Sequence, residues 1–359
     1  MEIGIGLPNA VRGVARDGIV DWARRAEAAG FSSLGTIDRI AYANYESLIA
    51  LSAAAAVTER IRLVTDILIA PLRANTALFA KQTATIDHLS GGRLVLGLAP
   101  GGREDDYTLG GVDFHRRGRL FDEQLEALPR LWAGEGGLGP APASPGGRPG
   151  LLIGGANEKA YARAARHGDG WTMMVGTPAD FAAGIEVVRG CWTAASRPGT
   201  PATMAVFYAA LGDDAPHLVE KAIGGYYVWL GRDTACYIVG TAATSEAQVH
   251  ERLVGFAAAG ADEVMVLPCA EDPGQLERLA AVAVPGPLRG HPQPERPADV
   301  PDWDAARQAW HSGEENVAPA PSSRNEHGRT RTGPPPVSPA DGLRRSSTSS
   351  LASATTRRA

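Results

Sequence analysis

Lysine is nearly missing from this chain of 359 residues: of 35 basic residues only Lys81, Lys159 and Lys221 are lysines, and the rest are arginines. Cysteine is equally scarce. Cys191, Cys236 and Cys269 are odd in number and far apart, which fits neither a disulfide framework nor a zinc site and suits a reducing cytoplasm. An excess of positive charge is absent too. The net charge of -5 argues against a nucleic-acid protein, which carries a basic face. No run of about 18 apolar residues appears, so a membrane span is not expected. The opening "MEIGIGLPNAVRG" has neither the basic start nor the long apolar core of a signal peptide and reads as a strand and turn. Motifs for several chemistries are missing as well. There is no Gly-x-Ser-x-Gly elbow, no His-Glu-x-x-His, no P-loop, no dinucleotide fingerprint and no histidine pair at metal spacing. Serine hydrolysis and zinc chemistry are therefore poor fits, and no metal site is expected.

What is present is a regular alternation. Short apolar runs occur at "EIGIGL", "SLGTI", "IRLVTDILI", "RLVLGL", "GLLIGG", "GWTMMV", "ATMAVFYAAL" and "DEVMVLP". Between them lie stretches with apolar residues at three- and four-residue spacing, such as "GIVDWARRAEAAG" and "YESLIALSAAAAVTERI". Gly30 closes the first helix; Ser245 caps a later one that Gly260 ends. Eight strands alternating with helices over residues 1–284 predict an eight-fold β/α (TIM) barrel, in preference to a doubly wound open sheet. The segment "DAPHLVEKAIGGYYVWLGRD" adds an extra helix to the last crossover. Beyond Pro285 the chain turns to Pro, Ser, Arg and Thr with few large apolar residues, too few to offset the entropy of ordering. Residues 285–359 are read as a mostly disordered tail, with one short helix possible around Trp303 and Trp310.

Barrel sites form where strands end at their C-terminal face, and that rule selects a short set of residues. Strand two ends at Asp38-Arg39, and strand three holds Asp66 inside an apolar run. A carboxylate there is costly unless it is paired or faces a polar cavity. Strand four empties into Gly101-Gly102-Arg103, which could nest an anion, followed by Glu104, Asp105 and Asp106, which could instead open a helix. Strand five ends at Gly154-Gly155-Ala156-Asn157 before a helix, a place where backbone amides suit a phosphate but where Gly-Gly is equally a tight turn. His115, in "DFHRRGR", is a candidate for acid–base work. Tyr42, Tyr45, Tyr107, Met173 and Tyr208 are candidate pocket residues, or ordinary core.

Several ordered blocks carry a resemblance. "TERIRLVTDILIAPLRANTALFAKQTATIDHLSGGRLVLGLAPG", "EDDYTLGGVDFHRRGRLFDEQLEALPRLWAGE", "LLIGGANEKAYARAARHGDGW" and "VGTAATSEAQVHERLVGFAAAGADEVMV" together resemble the bacterial-luciferase-like flavin-dependent oxidoreductases. The resemblance implies a barrel that holds reduced FMN, or the deazaflavin coenzyme F-420, at its C-terminal mouth. It places a bulge with a non-proline cis peptide at Asp66-Ile67, under the isoalloxazine ring. It puts the cofactor phosphate near Gly154, Gly155 and Asn157. Gly101, Gly102 and Arg103 would then border the flavin, and Arg117 would partner the phosphate or the fold. Many members end strand two with Asp-His; here the pair is Asp38-Arg39. Arginine stays protonated and does not shuttle protons, but it can hold an anionic flavin or a substrate carboxylate.

The expected activity is a flavin-dependent monooxygenase, acting on a small organic substrate with reduced FMN from a separate flavin reductase. A deazaflavin-dependent hydride transfer and a non-catalytic flavin-binding protein are the alternatives. The protein is expected to be a cytoplasmic homodimer.

Overall fold

The computed structural model describes residues 1–284; the tail expected at 285–359 lies outside the described residues. Eight parallel strands close into a barrel in sequence order. They are β1 (Glu2–Gly6), β2 (Ser33–Thr36), β3 (Arg62–Ile69), β4 (Leu94–Ala99), β5 (Gly150–Gly154), β6 (Gly170–Met173), β7 (Ala202–Ala209) and β8 (Glu263–Pro268). Each apolar run in the sequence is one of these strands. The ring closes through β1 against β8, with Ile3 opposite Val264 and Ile5 opposite Val266.

The strands are nearly uniformly apolar because both of their faces are buried. Alternate residues point out to the helices, as Leu34, Leu63, Leu96 and Trp171 do, and belong to one packed cluster. The intervening ones point inward, as Val64, Leu152, Val206 and Met265 do, and form a second cluster inside the barrel. Aromatic rings tie the outer layer together. Trp171 of β6 stacks on Phe181 with centroids 5.3 Å apart, and Phe181 meets Phe256 edge-on at 5.7 Å. Such pairs add about 0.5–1.5 kcal/mol each beyond the area they bury.

The helices are α1 (Gly18–Ala29), α2 (Ser47–Ala55), α3 (Thr76–Ser90), α4 (Glu104–Leu109), α5 (Arg117–Trp132), α6 (Glu158–His167) and α7 (Pro178–Ala194), followed by α8 to α12. Their ends obey local chemistry. Gly30, at φ 90°, accepts the left-handed turn that stops α1. Thr177 and Asp180 form a reciprocal capping box at the start of α7, and Ser245 caps α11 (Glu246–Ala258).

The connection after β7 departs from the expected two helices. It breaks into α8 (Ala215–Val219), a π-helical turn (Glu220–Gly224), α9 (Gly225–Tyr227), a 3-10 turn (Val228–Leu230) and α10 (Arg232–Thr241). The break before α10 falls at Gly231, whose φ of 89° and ψ of 157° only glycine adopts readily. α12 (Pro273–Ala283) ends the described region. No helix among the described residues is long and apolar enough to cross a membrane.

Candidate functional site

The C-terminal ends of the strands gather most of the residues singled out in the sequence. Strand β3 carries the central irregularity: its register against β4 shifts between Thr65 and Leu68, and the Asp66–Ile67 peptide is cis. The shift leaves Asp66 aimed into the barrel, where Thr172 Oγ1 of β6 donates to its two oxygens at 2.8 and 3.1 Å. β3 and β6 are not neighbours in the ring, so this bond crosses the interior. Asp66 is fully buried and has no cation partner among the described residues. Burial drives its pKa up to about 7, with the nearby Glu263 charge adding to the rise and the Thr172 hydroxyl opposing it. Ile67 lies against Gly154 of β5, where a Cβ would come within 2.8 Å of Ile67 Cγ2. The glycine at the end of β5 is thus what lets the bulge seat.

Asp38 and Arg39 part company at the end of β2. Asp38 is held by Arg73, which forks onto both carboxylate oxygens, and by the Ile69 amide at 2.9 Å. Arg73 also reaches Glu46. Arg39 turns to the acids of α4, with Nη2 2.6 Å from Asp105 Oδ2 and Nε 3.5 Å from Asp106 Oδ2. Asp106 accepts from the Ile40 and Ala41 amides, which fixes the turn after β2. The acids following Gly102 therefore do both things expected of them. They open α4, and they neutralise an arginine at the mouth. The Arg39 charge is consumed by these contacts.

The broken segment after β7 covers the same face. Tyr226 donates through its hydroxyl to the Asp38 carbonyl at 3.3 Å. Its ring is flanked by Arg103 at 4.4 Å and Arg39 at 5.4 Å, and Tyr42 meets it edge-on at 5.3 Å. Arg103 also donates to the Tyr226 carbonyl and lies over Trp229 at 5.0 Å. Its second terminal nitrogen, Nη1, is buried without an acceptor, as is Thr36 Oγ1. Gly101 packs on Ile69, and Gly102 sits beneath Trp229. A narrow pocket opens beside this cluster, walled by Leu7, Ile37, Tyr208, Ile223, Tyr226 and Leu267 among others.

The remaining sequence candidates lie elsewhere or have ordinary partners. His115 is exposed in a 3-10 turn, with its ring against Phe114. Arg117 donates to the Phe114 carbonyl and covers that ring at 3.8 Å. Asn157 caps α6 by accepting from the Ala160 amide, and the Gly155 carbonyl accepts from Trp171 Nε1. Of the five candidate pocket residues only Tyr208 lines the pocket. Met173 faces the outer core, Tyr107 bonds the Pro100 carbonyl, Tyr45 bonds the Val14 carbonyl, and Tyr42 supports Tyr226. Sequence reading passed over Arg73, Thr172, Tyr226 and Tyr227. Only the paired tyrosines after Gly224-Gly225, in an overlong crossover, offered a signal.

Comparison with known proteins places this geometry. The model for the luciferase-like monooxygenases matches residues 1–267. An uncharacterized protein of Mycobacterium tuberculosis is 36% identical over 191 residues, which is 49% of this chain and 66% of the relative's length. An F-420-dependent glucose-6-phosphate dehydrogenase of Beutenbergia cavernae is 35% identical over 118 residues, 31% of this chain and 35% of its own. Among solved structures, a monooxygenase from Streptomyces bottropensis superposes with a TM-score of 0.67 at 21% identity, covering 79% of this chain and 97% of that one. A family match spanning most of the chain, on a closed barrel with a bulged third strand, identifies this protein as a member of the luciferase-like monooxygenase family.

Proposed function

We propose that the chain is a flavin-dependent monooxygenase that uses reduced FMN from a separate flavin reductase, together with O2, on a small organic substrate. The observation that carries the reading is the mouth itself, an apolar floor beside a buried arginine nitrogen, Arg103 Nη1, that lacks an acceptor. That donor set fits a flat group with one apolar face and a polar or anionic edge. Ile67 and Ile69 would support the ring, and Arg103 would hold the polar edge. The cradle of Gly154 and Gly155 at the start of α6 would receive the phosphate, with Asn157 keeping that helix end in place. When bound there, reduced flavin would supply the two electrons with which O2 delivers one oxygen atom to the substrate and the other to water.

The chain's own residues then bind, orient and shield. Arg39, spent on Asp105 and Asp106, and Asp38, spent on Arg73, shape the mouth. Neither moves a proton. His115 remains a proposal for acid–base work, one that requires the substrate to reach the outer rim. Asp66, with a pKa of about 7, is the buried group best suited to hold or give up a proton near neutrality. The segment Glu220–Leu230 keeps water from the site and has to shift to admit a ring-sized group.

A second reading, hydride transfer with coenzyme F-420, is favoured by the identity to an F-420-dependent dehydrogenase; the arginine at position 39 does not separate the two. Anaerobic titration with reduced FMN and, separately, reduced F-420, followed by admission of air, tests both. FMN binding with substrate-dependent oxygen uptake supports the monooxygenase. Preferred binding of F-420, unchanged in air, replaces it with hydride transfer. Binding of neither overturns both.

A further inference from the structure

The pocket beside Tyr226 has a chemistry of its own. Its floor is made by the inward ends of β1, β2 and β8, with Leu7, Ile37 and Leu267, and its outer wall by Ala222, Ile223 and Tyr226 of the broken segment. No charged side chain lines it. Arg39 is spent on Asp105 and Asp106, and Asp38 on Arg73. Arg103 keeps Nη1 free for the cofactor edge, but it packs on the Tyr226 ring and is not among the residues that line the pocket. A carboxylate or phosphate entering the pocket would lose its water and meet no cation in the lining, a cost of several kcal/mol.

Two tyrosines line it, Tyr208 and Tyr226; the Tyr226 hydroxyl is used on the Asp38 carbonyl, which leaves Tyr208, backed by a second phenol outside the lining. Tyr208 on β7 and Tyr227 of α9 are both buried, and their hydroxyl oxygens lie 3.0 Å apart. Two phenols bring two protons, and one hydrogen bond between them uses one. Among the described residues neither hydroxyl has another hydrogen-bond partner, and with Tyr227 as the donor of that bond the Tyr208 O–H is left to donate. Burial pushes the pKa of Tyr208 well above its ordinary value and that of Tyr227 to about 12, so both remain donors across the working range of pH.

We infer that this pocket takes a small, uncharged, mostly apolar substrate bearing a single carbonyl or hydroxyl oxygen, and that the Tyr208–Tyr227 pair fixes that oxygen. The inference rests on the oxidoreductase reading for its chemistry, but its binding requires no cofactor. As it stands the cavity is small, 20 Å³. A cavity of about 150 Å³ takes benzene, so a six-membered ring enters by pushing the Ala222–Tyr226 wall outward.

The test is binding to the full chain without cofactor, read by calorimetry with named probes: cyclohexanone, cyclohexene, cyclohexanecarboxylate and glucose 6-phosphate, at pH 8. Cyclohexanone is expected to bind at least about ten-fold more tightly than cyclohexanecarboxylate, the penalty for an unpaired charge. Tyr208→Phe should weaken cyclohexanone about five-fold, one neutral hydrogen bond, and leave cyclohexene unchanged. Ala222→Trp and, independently, Leu267→Trp should remove both neutral probes while the unfolding midpoint reports intact folding. Equal or tighter binding of either anion overturns the inference. So does failure of both neutral probes to bind wild type, or their binding undiminished in whichever filled variant folds. Titrating the same preparations with reduced FMN and reduced F-420 separates the two readings. A chain that takes cyclohexanone but neither cofactor keeps the pocket and loses the proposed function. A chain that takes a cofactor but no neutral probe does the reverse.

Discussion

The two ends of the barrel treat their polar groups in opposite ways. At the N-terminal end Glu263 of β8 accepts from the Ser32 and Ser33 hydroxyls on one oxygen and from Arg62 on the other, and Arg62 also pairs with Glu2. All three charges of this cluster are paired. The C-terminal end is less complete. Arg39 Nε and Asp106 Oδ2 face each other at 3.5 Å as an ion pair without a hydrogen bond. Arg103 Nη1 and Thr36 Oγ1, also buried, have no hydrogen-bond partner among the described residues. Native interiors rarely leave such atoms unpaired, and here it is the mouth that holds donors to spare.

The largest expected effect tests the closed end. Glu263→Ala would leave Arg62 mostly buried with only the exposed Glu2, and should cost about 3 kcal/mol in urea unfolding. A cost under about 1 kcal/mol would mean that this end is no better satisfied than the mouth. Asp66→Asn should act in the opposite direction. The folded pKa of about 7 lies above the ordinary carboxylate value of 3.8, so the native state binds a proton that the unfolded chain has released. Stability from this group is whole below about pH 4 and is lost as pH rises through about 7. The asparagine variant should therefore exceed wild type by about 2–4 kcal/mol at pH 8, with the gain vanishing towards pH 4. A gain independent of pH would show that Asp66 does not titrate in this window. Thr172→Val strips Asp66 of its donor and should cost about 1–2 kcal/mol at pH 8. Smallest in stability is Tyr226→Phe, about 0.5–1 kcal/mol for the bond to the Asp38 carbonyl. Its clearer readout is faster amide exchange confined to Glu220–Leu230, and unchanged exchange there would show that the covering segment does not depend on this contact.

Much of the architecture was legible because it rests on local rules. The eight strands are apolar on both faces, and Gly30 and Ser245 terminate or cap helices by chemistry that spans a few residues. The bulge at Asp66-Ile67 was legible only through resemblance; the residues alone offered a carboxylate in an apolar strand. The partners of the site were not legible, since they are distant in sequence. Asp66 and Thr172 are 106 positions apart, and Tyr226 and Asp38 are 188. Nothing in "SLGTIDR" announces that Arg39 will be neutralised by acids that also open α4. Arg117, expected to serve a phosphate or the fold, packs on its neighbour Phe114, a contact that the sequence did not single out. A composition rich in arginine gives no hint of which guanidinium is left with a free nitrogen.

The π-helical turn Glu220–Gly224 carries a consequence for how this mouth can change over time. A π turn holds an extra residue relative to an α turn. The wider turn absorbs that residue locally, so deleting one residue from Glu220–Gly224 would let an α turn close while the residues after it keep nearly the same facing. Tyr226 and Tyr227 would stay on the pocket side, and what would change is the bulge itself, where Ala222 and Ile223 line the pocket. Length variation in this one turn can thus reshape the wall of the mouth and leave the barrel and its closed end untouched.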